Sequence, residues 1–140
     1  MKLQRSKEIQ QSKTRYFIDI ETNICLKNMK AGFIPEAVSI GIAKSVEPRP
    51  PEICYYKEFR PLVYVDNEAY AVHGLSQIYL MNKSQFVAAD ADEINDILRG
   101  SFSCHAHNAS FDFKVLDREF THAFKVFLPF QNLQCTQRMA

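Results

Sequence analysis

"YFIDIETN", Tyr16 to Asn23, is the stretch on which the fold of this chain turns. Tyr, Phe and two Ile in a short run predict a strand from Arg15 to Ile20. Two acids interrupt it. Alternate strand residues share a face, so Asp19 and Glu21 point one way while Ile18 and Ile20 point the other. One face therefore has a core beneath it, and the other carries two like charges close together. Such a pair repels, and one carboxyl keeps a proton unless a cation stands between them. Oxygen donors without neighbouring Cys or His suit Mg2+ or Mn2+ better than Zn2+. Asp-x-Glu also occurs as a plain solvated strand edge, so the pair alone does not fix a function.

Outward from this strand, Asn23 to Pro35 is a loop, with Asn28, Gly32 and Pro35 as breakers. Ala37 to Ala43 (AVSIGIA) and Ile53 to Phe59 (ICYYKEF) are predicted strands, separated by a hard turn at Glu47 to Pro51 (EPRPP). Connections this short make the three strands an antiparallel meander. Pro61 to Gly74 reads as mostly irregular. A helix is predicted over Ser84 to Arg99, with Phe86, Val87, Ile94, Ile97 and Leu98 on one face, Ser84 as N-cap and Gly100 as stop. Ser101 to Ala106 is strand-like. Ala109 to about Phe124 is helical again, with Phe113, Leu116, Phe120 and Phe124 near helical spacing, and Pro129 ends it. Asn132 to Thr136 is a last strand. Three strands, helix, strand, helix, strand make an α/β domain: a mixed sheet flanked by helices, with the fourth strand brought parallel to the first by a crossover.

The 140 residues suffice for one domain with a buried core. Hydrophobic residues make up 46% and charged residues 24%, ordinary for a soluble globular chain. A formal charge of +1 argues against a strongly basic nucleic-acid clamp but leaves room for a local basic patch. No apolar run reaches the roughly 20 residues that cross a membrane. The start, MKLQRSKEIQQSKTR, lacks the apolar stretch of a secretory signal. Residues 1–14 read as a flexible polar and basic tail ahead of a domain at 15–140. Cys25, Cys54, Cys104 and Cys135 form no C-x-x-C pair, which argues against zinc; without an export signal they read as reduced thiols of a cytoplasmic protein.

Two further stretches carry chemistry. In "HNASFDFKVLDREF", His107 to Phe120, Asp112 falls in the first turn of a predicted helix just after a strand. The helix dipole alone accounts for an acid there, and His107 and Asn108 serve equally as turn and cap residues. The crossover, however, sets the carboxyl ends of two parallel strands at one sheet edge, where ligands collect in sheets of this kind. Asp112 would then meet Asp19 and Glu21 as three carboxylates on one metal site. In "AVHGLS", Ala71 to Ser76, His73 reads as a structural histidine, while the apolar residue after Gly74 is suited to wedge or stack a base.

FIDIET, AVHGLS and HNASFD, in this order and at these spacings, resemble the DnaQ-like DEDD family of 3′–5′ exonucleases. The resemblance covers nearly all of the chain after the tail. It implies a ribonuclease H-like fold. It implies that Asp19, Glu21 and Asp112 hold two divalent ions, Mg2+ or Mn2+, and are catalytic. It further implies that Thr22, His107, Asn108 and Phe111 shape the pocket for the terminal nucleotide, and that Gly74 and Leu75 form the loop contacting the 3′-terminal base. The expected activity is release of nucleoside 5′-monophosphates from a single-stranded 3′ end. DNA is favoured over RNA, and a DNA polymerase is a candidate partner.

The pattern also departs from the family. A fourth acid and a general base, His or Tyr, are expected on a helix well downstream of the second motif, and the chain stops at Ala140 before reaching it. His122 and Glu119 lack the spacing to replace them. Cys135 stands where many relatives carry an acid before a threonine. The domain is thus expected to be incomplete at its C-terminus. The alternative to an enzyme is an inactive fragment or remnant that binds 3′ ends or a polymerase partner without hydrolysis.

Overall fold

The computed structural model describes residues 14–25, 28, 30, 33–99, 103–106, 108–127 and 133–135. The expected tail thus lies outside the described residues except for Thr14, which opens the first strand.

In β1 (Thr14–Thr22), Tyr16, Ile18 and Ile20 are buried while Arg15, Phe17 and Asp19 are exposed, the alternation its sequence predicts. β2 (Ala37–Val46) pairs antiparallel with β1, and β3 (Glu52–Glu58) antiparallel with β2. Two short helices follow, α1 (Asn67–His73) and α2 (Gln77–Leu80), then α3 (Ala88–Leu98). β4 (Ser103–Ala106) returns parallel to β1. α4 (Ala109–His122) leads to β5 (Leu133–Cys135), parallel to β4 and within the strand expected at Asn132 to Thr136. The sheet runs β3-β2-β1-β4-β5. This is the mixed sheet with flanking helices that the element order predicts.

The two longer helices cover the apolar face of β1. Ala91, Ile94 and Leu98 recur at helical spacing along α3, and Phe113, Leu116 and Phe120 along α4. All six are buried and join Tyr16, Ile18 and Ile20 in one core. Phe120 is fully buried, with ring centroids 5.5 Å from Phe86 and 5.2 Å from Phe127. Burial of one such side chain contributes about 1.5–3 kcal/mol.

Several expectations are corrected. Pro61 to Gly74 is not all irregular, because α1 occupies Asn67–His73. Asp66 caps it, its Oδ1 accepting the Ala69 N–H at 2.7 Å, and Gly74 ends it in the left-handed region at φ 72°. α3 begins at Ala88 rather than Ser84. Val87 holds the N-cap position, and Asp90 folds back so that its Oδ2 accepts the Val87 N–H at 2.9 Å. The Ser84 carbonyl instead accepts the Arg60 N–H. Phe124 lies past the end of α4, 96% exposed at φ 60°, and takes no part in the helix's apolar face. Gly100 and Pro129 lie outside the described residues.

Candidate active site

β1 and β4 stay in register only as far as Ile18 and Ala106. Beyond that point Asp19 to Thr22 remain paired with β2, and α4 begins at Ala109. Two parallel strands diverging at their carboxyl ends open a cleft. The cavity there has a volume of about 420 Å3. Its walls are Asp19, Ile20, Glu21, Thr22 and Cys25 from β1 and its exit, Ala69, Val72 and His73 from α1, and Asn108, Phe111 and Asp112 from the start of α4.

Asp19, Glu21, Thr22, Asn108, Phe111 and Asp112, all singled out in the sequence, therefore share one cavity. Gly74 and Leu75 are not in its walls: Gly74 terminates α1, and Leu75 follows it, half-buried. His107 lies outside the described residues. His73, expected to be structural, lines the cavity.

Burial raises the Glu21 carboxyl above its ordinary value, and the neighbouring Asp19 raises it further. Asp112 is buried in the first turn of α4 and turns back on its own helix, with Oδ2 3.4 Å from the Asn108 N–H. The positive end of the helix favours a carboxylate there. Among the described residues, no group of three or more His, Cys, Asp or Glu is gathered closely enough to hold a metal ion. The chemistry of the donors nonetheless fits a hard divalent cation. Asp19 and Glu21 repel one another across a partly desolvated space, and the further carboxylate in that cavity belongs to Asp112.

His73 has both ring nitrogens engaged. Nε2 lies 2.9 Å from the Thr22 carbonyl oxygen, and Nδ1 accepts the Leu75 N–H at 2.9 Å. The carbonyl can only accept and the amide can only donate, so the imidazole is neutral with its proton on Nε2.

Three supporting residues are visible only in the structure. Asn23 and Glu36, both buried, bind each other reciprocally. Asn23 Nδ2 donates to Glu36 Oε2 at 3.0 Å, and the Glu36 N–H donates to Asn23 Oδ1 at 2.8 Å. Glu36 also accepts the Leu62 N–H at 2.7 Å and the Val63 N–H at 2.9 Å. Asp66 accepts the Cys25 N–H and the Asn28 Nδ2, both at 3.0 Å. Together they fasten the chain leaving β1 to the segment that carries α1.

The architecture is ribonuclease H-like, and the chain resembles DnaQ-like exonucleases in sequence and in fold. Among curated proteins the chain is similar to the DNA polymerase III subunit epsilon of Escherichia coli (strain K12), with 36% identity over 84 residues, 60% of this chain and 34% of that protein. The same subunit of Salmonella typhimurium is 35% identical over 83 residues, 59% of this chain and 33% of that protein. The chain thus spans about a third of the length of the curated relatives it matches. No protein-family model matches. Among solved structures, exonuclease I in complex with the inhibitor BCBP superposes with a TM-score of 0.68 at 16% identity, covering 90% of this chain and 29% of that one. The nuclease domain of 3′hExo, a DEDDh family member, bound to rAMP, gives a TM-score of 0.63 at 14% identity, covering 84% of this chain and 63% of that one. Identities this low speak to the fold alone.

Proposed function

We propose that this chain carries a metal-dependent 3′–5′ exonuclease site that removes nucleotides from single-stranded 3′ ends, DNA by preference, as nucleoside 5′-monophosphates. The observation that carries this function is the convergence of Asp19, Glu21, Thr22, Asn108, Phe111 and Asp112, from two separate parts of the sequence, on one cavity. Asp19, Glu21 and Asp112 would hold two Mg2+ or Mn2+ ions, which when bound supply an acidified water and charge stabilisation for the leaving 3′ oxygen. The chain's own residues do the positioning. Thr22, Asn108 and Phe111 bound the space for the terminal nucleotide, and the N-terminus of α4 offers partial positive charge and backbone N–H groups to a phosphate. With phosphate charge met locally, the near-neutral chain needs no broad basic surface.

Similarity to the epsilon subunits favours DNA and a proofreading role beside a polymerase. An exonuclease I solved in complex with a dT13 oligonucleotide shares the fold, with a TM-score of 0.61. The test is degradation of a labelled single-stranded DNA with Mn2+, with the Asp19→Ala variant alongside. Stepwise loss from the 3′ end, ended by the substitution, is expected; a folded protein that leaves the DNA intact would refute hydrolysis.

One observation favours a second reading, binding of 3′ ends or of a polymerase without hydrolysis. Among the described residues of the cavity wall, the histidine, His73, has no nitrogen left to act as a base. The same assay separates the two, since retained binding of the oligonucleotide without cleavage supports the second.

A further inference from the structure

We infer that His73 is a positioning residue: it fixes the distance between Thr22, beside the acids of β1, and Leu75, on the loop after α1, and so sets the width of the nucleotide site. This rests on the proposed function above.

The inference comes from how the two ring nitrogens are spent. A histidine whose only role is to fill space can satisfy its nitrogens with any nearby group. Here one nitrogen donates to the Thr22 carbonyl at 2.9 Å, and the other accepts the Leu75 N–H at 2.9 Å. One partner stands in the cavity wall, and the other lies two residues past the end of α1, which supplies a further part of that wall. The ring is rigid, so the bridge has a fixed length. Leu75 reaches it because Gly74 turns the chain in the left-handed region, φ 72°, which an L side chain would strain. At the other end of α1, Asp66 makes a second attachment to the same stretch. Its N–H donates to the Asn23 carbonyl at 2.8 Å, and its Oδ2 accepts the Cys25 N–H at 3.0 Å. α1 is therefore strapped at both ends to the chain leaving β1, and His73 is the strap next to the carboxylates.

Two substitutions split the bridge. In His73→Gln the side-chain amide nitrogen takes the place of Nε2 and can still donate to Thr22, but nothing accepts the Leu75 N–H. In His73→Asn the side-chain oxygen takes the place of Nδ1 and can still accept from Leu75, but nothing donates to Thr22. Binding of thymidine 5′-monophosphate with Mg2+ to the full chain is the readout, with hydrogen exchange at the Leu75 amide beside it. Each variant is expected to bind the nucleotide about tenfold more weakly, the effect of one well-placed hydrogen bond. Leu75 should be protected in the wild type and in His73→Asn, and unprotected in His73→Gln. A purely structural histidine would lower stability but leave the affinity of the folded variants unchanged. Folded variants that bind as tightly as the wild type would overturn the positioning role and leave the functional proposal standing, as would a wild-type Leu75 amide that exchanges freely. A wild type that binds no thymidine 5′-monophosphate would strike the functional proposal itself, and the role of His73 with it.

Discussion

Glu36 shows how much of the site rests on one side chain outside it. The residue is 5% exposed, and its two carboxylate oxygens take up hydrogen bonds from the Leu62 and Val63 N–H groups and from Asn23. In Glu36→Gln an NH2 group must face a donor. The expected cost is about 1–3 kcal/mol of stability, that of a mismatched buried polar group, measured by urea unfolding. Glu119 makes the contrasting case. Burial raises its carboxyl above the ordinary value, and nearby Glu36 adds to this, despite hydrogen bonds from the Ala37 N–H and Arg118. A carboxyl raised on folding contributes its stability below its unfolded value and loses it as pH climbs through the folded one. Glu119→Gln does not titrate, so it should gain on the wild type between pH 4 and pH 7, as urea midpoints at the two pH values would show. Asp19 and Glu21 were legible because acids stand out in an apolar strand. Asn23 and Glu36 were not, because a polar residue in a loop looks solvated until the fold encloses it. Their partnership joins two ends of a loop, and single-sequence periodicity carries no trace of it.

The helices divide along the same line. α3 and α4 each bury a stripe of apolar residues at helical spacing, and that spacing is what the sequence displays. α1 buries only Ala69 and so has no stripe. Its signals are caps: Asp66 before it and Gly74 after it, either of which reads equally well as part of a loop. The start of α3 differs from the expected Ser84 for a related reason. A serine at position 84 is a good N-cap in isolation, whereas the helix begins where Asp90 can reach the Val87 N–H and pair with Lys57. Two predictions belong here. Asp66→Ala removes the N-cap of α1 and its strap to Cys25, and should cost about 1–2 kcal/mol in chemical denaturation. Burial alone would raise the Asp66 carboxyl, but the hydrogen bonds from Asn28, Ala69 and Cys25 together hold it below its ordinary value. The strap should therefore weaken as acid protonates it. Phe120→Ala, in the aromatic row that joins α4 to Phe86 and Phe127, should cost about 3–5 kcal/mol by the same method.

The arrangement of the sheet followed from element order alone. Short links forced the meander, and the helical connection between β3 and β4 forced the parallel return beside β1. That return is what puts two distant motifs at one edge. What element order could not supply was the point at which β1 and β4 part, because strand ends are set by competing pairings and not by local preference. The parting after Ile18 and Ala106 leaves a cavity of about 420 Å3, the size that suits one small ligand. A double helix does not fit such a space. Under the proposed function, a paired 3′ end must come apart before it can be cut, and the enzyme would wait on the duplex to fray. The stacking lost per base-pair step averages about 1.4 kcal/mol, so each step that a mismatch has already loosened should speed removal roughly tenfold. The cleft would thereby convert the quality of base pairing into a rate, discriminating against errors by how readily the terminal nucleotide comes free and not by which base it carries.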